Sequence, residues 1–273
     1  MNRPDEEEDS VLQKDNVYPP NFLPTDADAD AINHSQHNPT KMQKPFWKHM
    51  IVHGGKSDAG RKILDPLKEM DMQMMRVWCF NGQGRTKTKL PDGRIVFIGG
   101  QHEDWSDPDF VTYNDVVVRR PKSTPTEIDI YGYPFSTFPE TKFHTATYYR
   151  DEASGGGKEY IYIIGGLDYG DGPHSKATLT FRLDLQDYSI QPIEATGDMP
   201  PPNLDDGTLE RRCCNIGWGR YFIVVSDNCN KTAYRLSIPS MRWSRLYIFY
   251  WREDGTPDYT PWPTERGKKK VKR

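Results

Sequence analysis

RIVFIGG (residues 94–100) and YIYIIGG (160–166) decide the fold. Each is a short apolar run that ends in a pair of glycines. Runs of this length, bounded by turn residues, read as strands. The glycines allow close backbone approach and unusual φ at the strand exit. A third copy, YFIVVSD (221–227), carries Ser226 and Asp227 in the glycine places. The spacing is 165 − 99 = 66 residues and then 226 − 165 = 61, an internal repeat.

A second strand-like stretch precedes each run: TKTKL (86–90), HTATYY (144–149) and RCCNIGW (212–218). The links between the two, PDG (91–93), SGGGK (154–158) and GR (219–220), carry hairpin chemistry. A polar loop follows each run, then YNDVVV (113–118), ATLTFRLDL (177–185) or TAYRLSI (232–238). A fourth stretch closes each unit: EIDIYGY (127–133), SIQPIEA (189–195) and RWSRLYI (242–248). Three units of four short strands predict an all-β chain built from propeller blades.

These residues resemble the kelch-repeat family. The resemblance rests on Gly99–Gly100 and Gly165–Gly166 ending the second strand, YND (113–115) opening the third, FHTAT (143–147) as a first strand, and Trp243 closing a blade. It covers about 84–246 and is similar in look to uncharacterised kelch-like proteins, some joined to ankyrin repeats. The third copy lacks its glycine pair, and blades one and two lack the tryptophan. The resemblance implies a kelch-type β-propeller, and a partial one: about three four-stranded blades are present, where closure usually takes about 4–8.

Hydrophobic residues make up only 35% of the chain, with mean hydropathy −0.82. The deficit is concentrated at the ends. Residues 1–44, with PDEEEDS and DADAD, read as a disordered acidic and polar segment. Residues 45–83 read as a short helical or irregular lead-in. MIVHGG (50–55) mimics a second strand, but SDAGRKIL (57–64) reads as helix, with Ser57 or Asp58 as cap and Pro66 as a limit. Blades occupy 84–251, and 252–273 form a Pro-rich, then basic, flexible tail. An arc of three blades exposes strand edges, so a helix, the tail or a second copy of the chain should cover them.

A net charge of −3 does not suggest a nucleic-acid binder, and no apolar run is long enough for a transmembrane helix. The N-terminus lacks a secretory pattern, so Cys79, Cys213, Cys214 and Cys229 are expected to be reduced in an intracellular, cytoplasmic protein. Lys268, Lys269, Lys270, Lys272 and Arg273 fit a short nuclear import pattern. GQG (82–84) and GGG (155–157) lack the surroundings of nucleotide loops, and no cofactor is expected.

In a four-stranded blade, the loop from second to third strand and the link to the next blade leave at the same end. Three acidic or aromatic segments therefore meet there. The first loop brings His102, Glu103, Asp104, Trp105, Asp107 and Asp109; the second brings Asp168, Tyr169 and His174. The link between blades one and two adds Tyr131, Tyr133 and Phe135, with Phe138 beyond. Solvated turns, a metal site and a recognition surface all fit such loops. DWSDPD lacks the spacing of a calcium loop, and Trp105 favours recognition of a protein or peptide without enzymatic chemistry. The alternatives are a metal-dependent hydrolase or lyase using loop 101–109, with Glu103, Asp104, Asp107 and His102 or His174, or a propeller fragment completed by another subunit. His144 and Asp115 are expected to be structural.

Overall fold

The computed structural model describes residues 35–53, 55–64, 77–102, 111–120, 127–152, 157–166, 178–200, 211–215, 221–226, 232–247, 250–251 and 257–258. The chain is mostly β, in several antiparallel sheets. The first sheet is formed by β2 (Thr86–Lys89), β3 (Ile95–Ile98), β6 (Val116–Arg120) and β7 (Glu127–Gly132). The second holds β8 (Thr145–Asp151), β9 (Lys158–Ile164), β10 (Thr180–Asp184) and β11 (Ile190–Pro192). The third holds β13 (Arg211–Asn215), β14 (Tyr221–Ser226), β15 (Thr232–Ser237) and β16 (Arg242–Tyr247). Within each unit, strands pair with their sequence neighbours. Across units the first strands adjoin, β2 beside β8 and β8 beside β13. No strand of one sheet pairs with a strand of another among the described residues, so no closed sheet forms.

The period-2 alternation sorts each strand onto two cores. In β3, Ile95 and Phe97 face one cluster while Val96 and Ile98 face another. The second cluster joins the first sheet to Ile161, Ile163, Phe181 and Leu183 of the second. Tyr160, Tyr162 and Ile164, on the opposite face of β9, pack with Tyr234, Leu236 and Trp243 of the third. The sheets thus stack face to face.

The remaining face of the first sheet is covered by helix α1 (Pro45–His53), which is followed by α2 (Ser57–Leu64). Pro45 is pre-set for a first helical position, and Phe46, Trp47, Met50 and Ile51 recur on one buried face. Trp47 stacks on Trp78 at 4.4 Å, a contact of about 0.5–1.5 kcal/mol beyond area burial. The strand-like MIV at 50–52 is therefore helical, because its apolar side needed a surface to pack on and the first sheet supplied one.

Residues 35–44 belong to the fold. β1 (Thr40–Lys41) pairs antiparallel with Gly132 and Tyr131, a fifth strand on the outer edge of the first sheet. Two residues before β1, the Asn38 side chain receives the Ile190 amide at 2.9 Å and donates to the Ile190 carbonyl at 2.7 Å. It thereby satisfies the outer edge of the second sheet. On the third, β12 (Thr196–Gly197) runs parallel to β16 and covers that edge. Exposed edges are a pairing hazard, and each sheet has its own cover. Residues 1–34 and 259–273 lie outside the described residues.

Candidate functional site

The end of the sheets where the second strands exit is built around the glycine pairs. Gly99, Gly100, Gly165 and Gly166 have φ of 54°, 97°, 74° and 112°, the left-handed side that favours glycine. Space is the second reason. A Cβ on Gly99 would collide with the Thr141 carbonyl, and one on Gly166 with the Thr141 hydroxyl. The link between the first and second units, residues 133–144, passes close to both pairs. Gly100 donates to the Thr141 carbonyl at 2.8 Å, and Thr141 donates to that of Tyr113 at 3.0 Å. Asn114 fixes the start of this link, donating to the Tyr133 and Phe138 carbonyls at 3.0 and 2.8 Å.

Beneath this end lies a buried charged group. The Arg85 guanidinium sits 5.4 Å from the Trp78 ring, 5.2 Å from Phe80 and 5.5 Å from Tyr113. Asp115, 2% exposed at its side chain, lies 3.5 Å from Arg85, too far for a normal hydrogen bond. It also accepts from the Trp78 indole at 3.4 Å. Burial raises the Asp115 carboxyl above its ordinary value, while Arg85 and Trp78 pull it back. The His144 imidazole bonds with the Thr86 hydroxyl at 2.9 Å and with that of Thr141 at 3.4 Å. Burial, aided by the Arg85 charge, lowers its pKa to about 3, so the ring is neutral at physiological pH. Aromatic faces and one carboxylate therefore hold Arg85, and hydroxyls hold a neutral histidine. Both residues tie the strand starts together.

The residues expected at a surface divide. His102, Tyr131 and Tyr133 are buried, at 1%, 7% and 0% exposure. His102 ends β4 (Gln101–His102), which pairs with β5 (Val111–Thr112), and its Nδ1 lies 3.2 Å from the Val77 carbonyl. Tyr131 stacks on Tyr188 at 4.4 Å, and the Tyr133 hydroxyl donates to the Tyr188 carbonyl at 2.8 Å. Tyr131 and Tyr133 thus pack the first sheet against the second unit, while the His102 ring lies against the segment before β2. Phe138 is buried as well, edge-on to Phe181. Phe135 is exposed at 47%. Glu103, Asp104, Trp105, Asp107, Asp109, Asp168, Tyr169 and His174 lie outside the described residues; their segments connect β4 to β5 and β9 to β10.

Two further residues join Phe135. Of the four exposed large apolar side chains among the described residues, Phe135, Phe143 and Leu179 lie in connections at this end, and only Val52 lies elsewhere. Phe143 has φ 54°, which costs a non-glycine residue about 1–2 kcal/mol. Its neighbours hold it there: Lys142 and His144 are buried, and the Phe143 amide donates to Gly84 at 2.8 Å. The residue is 36% exposed. Sequence offered no signal for this, since KF before HTAT reads equally well as strand.

Among the described residues no group of three or more His, Cys, Asp or Glu side chains could hold a metal ion. No helix among them is long and apolar enough to cross a membrane. No protein-family model matches the chain, and no curated protein matches it.

Proposed function

We propose that the chain is a kelch-type interaction module, a partial β-propeller of three blades, that binds a protein or peptide partner without enzymatic chemistry. The observation that carries this reading is the exposure of Phe135, Phe143 and Leu179, each in a connection at the end of the sheets from which the acidic loops also leave. Exposed apolar side chains ringed by polar residues are the usual form of an anchoring patch. The sequence of the adjoining connections carries Glu103, Asp104, Asp107, Asp109 and Asp168, which favours a partner with basic residues around an apolar centre.

Shared local geometry supports the kelch reading. Tyr188 and Met241 both adopt positive φ, 61° and 44°, in the turns joining the third and fourth strands of units two and three. Their separation is 241 − 188 = 53 residues, close to a kelch period of about 50. Ile190 and Trp243 follow each turn at the same offset and are both buried. The metal-dependent alternative gains nothing from His102, whose ring is buried against a backbone carbonyl.

The test is paired capture from the native source with the wild-type chain and with Phe135→Ser/Phe143→Ser, followed by affinity measurement on the recovered partner. The reading expects a partner held by the wild type and released by the variant, with Tm little changed. Equal retention by both would overturn it. For the compartment, the basic tail favours nuclear entry alongside the cytoplasm. A fusion of 252–273 to a large fluorescent protein should enter nuclei, and should fail to do so when Lys268, Lys269, Lys270 and Lys272 are Ala.

A further inference from the structure

Helix α1 carries two histidines one turn apart. His49 and His53 fall on the same side of the helix, because residues four apart lie one above the other. Their ring centroids are 4.3 Å apart and their planes are tilted by 37°. Both residues are half-buried, so each keeps part of its surface in solvent. The helix beneath them is fixed. Phe46, Trp47, Met50 and Ile51 are buried against the first sheet, and Trp47 stacks on Trp78. The two rings are therefore held side by side by the fold itself, before any ligand arrives.

We propose that His49 and His53 form a binding site for a divalent transition-metal ion of tetragonal preference, copper or nickel, with water in the remaining coordination positions. Three observations support the choice of ion. Ligand type is the first: imidazole suits these metals, and two histidines four apart on one helix face are a recurring ligand pair. Spacing is the second. An imidazole bound at about 2.0–2.1 Å has its centroid about 3.2 Å from the ion, so two rings at right angles around it lie about 4.5 Å apart. At a tetrahedral angle they would lie about 5.2 Å apart. The observed 4.3 Å matches the right angle, which copper and nickel favour and zinc does not. Position is the third. His53 stands in the last turn of α1, where the carbonyl end of the helix favours positive charge.

Two side chains are fewer than a structural zinc site uses, and among the described residues no third His, Cys, Asp or Glu joins them. The ion is accordingly held exchangeably, with open positions toward solvent. A pair of rings that only pack on one another is the competing account, and it expects no coordination by both nitrogens.

Titration of the full chain with Cu2+, Ni2+ and Zn2+ separates the two, with His34→Gln and His37→Gln in place to remove the other histidines early in the sequence. The proposal expects one tightly held copper per chain, affinity in the order copper, nickel, zinc, and electron paramagnetic resonance showing two imidazole nitrogens on the first equivalent of copper. His49→Gln and His53→Gln should each weaken copper binding about a hundredfold and leave one nitrogen, since a second ligand on the same helix acts at high effective concentration. Copper should raise the Tm of the parent chain and leave that of either variant little changed. One imidazole nitrogen or none on the parent chain, or equal copper affinity in parent and variants, would overturn the proposal. The nitrogen count on the parent chain decides the matter even where a variant fails to fold. Because Phe135 and Phe143 are untouched, this outcome is independent of the partner-binding test.

Discussion

His144 should make the fold acid-sensitive, and the size of the effect follows from its surroundings. The ring is buried, bonded to the Thr86 and Thr141 hydroxyls, and lies near the Arg85 charge; its pKa falls from 6.5 to about 3. Between those values the unfolded chain binds a proton that the native ring refuses. Stability therefore rises with pH from about 3 to 6.5 and is level above that. Each pH unit well inside this window is worth about 1.4 kcal/mol, with the unfolded ring already half protonated at 6.5, so acidification from about 7.5 to about 4.5 should cost roughly 2.7 kcal/mol. His144→Gln keeps a polar group and removes the titration. Urea unfolding of both proteins across this range should show the wild type ahead near neutrality, with its lead narrowing by about 2.7 kcal/mol on acidification. Other groups cancel in the comparison. His49, lowered to about 4 by burial and by His53, adds a part of the same sign, reduced by solvent screening. Asp115, raised by burial, contributes with the opposite sign above its unfolded value of 3.8. A lead that stays constant to about 0.5 kcal/mol would show that His144 is not held neutral in the native state, and the buried cluster would need a different account.

Gly166→Ala should lower stability by at least about 2 kcal/mol in denaturant melts, because the new methyl group meets Thr141 at a φ of 112°. Phe143→Gly should raise stability by up to about 1 kcal/mol by relieving its positive φ, while weakening partner binding; calorimetry and titration on the same sample would show the two moving in opposite directions. Asn38→Ala should cost about 1–2 kcal/mol, since it strips both backbone partners from Ile190, and hydrogen exchange at the Ile190 amide should accelerate with it.

The strands were legible because their pattern is local. Apolar runs, glycine pairs and hairpin turns place all twelve strands of the three units close to where they form, including β13 to β15, which lack the glycine pair. Elements stabilised from a distance were not legible. Thr40–Lys41 carries no strand pattern and pairs only because β7 offers an open edge. Met50–Val52 reads as strand alone and becomes helix against the first sheet. The site was half legible for the same reason. Connectivity puts the link 133–144 at the loop end, but alternation cannot say which of its aromatics turns inward. Tyr133 and Phe138 do so because Asn114 fixes the link beside the second sheet. Arg85 gave no sign of burial, since its aromatic neighbours come from residues 78, 80 and 113.

The hold of Asn38 on Ile190 has a kinetic consequence, because the two residues are 152 positions apart. During synthesis at about 5–20 residues per second, Asn38 is made roughly 8–30 s before its partner. The first unit can collapse on its own local hairpins within that time, yet the clasp across the rim cannot close until the second unit has been made. Loop closure over such a span has a high entropic barrier, so sealing of the rim belongs to the end of folding. Until then the outermost strand of the second unit lies open to any neighbouring chain, which makes the nascent protein most prone to aggregation when its second unit is complete and its clasp is not yet shut.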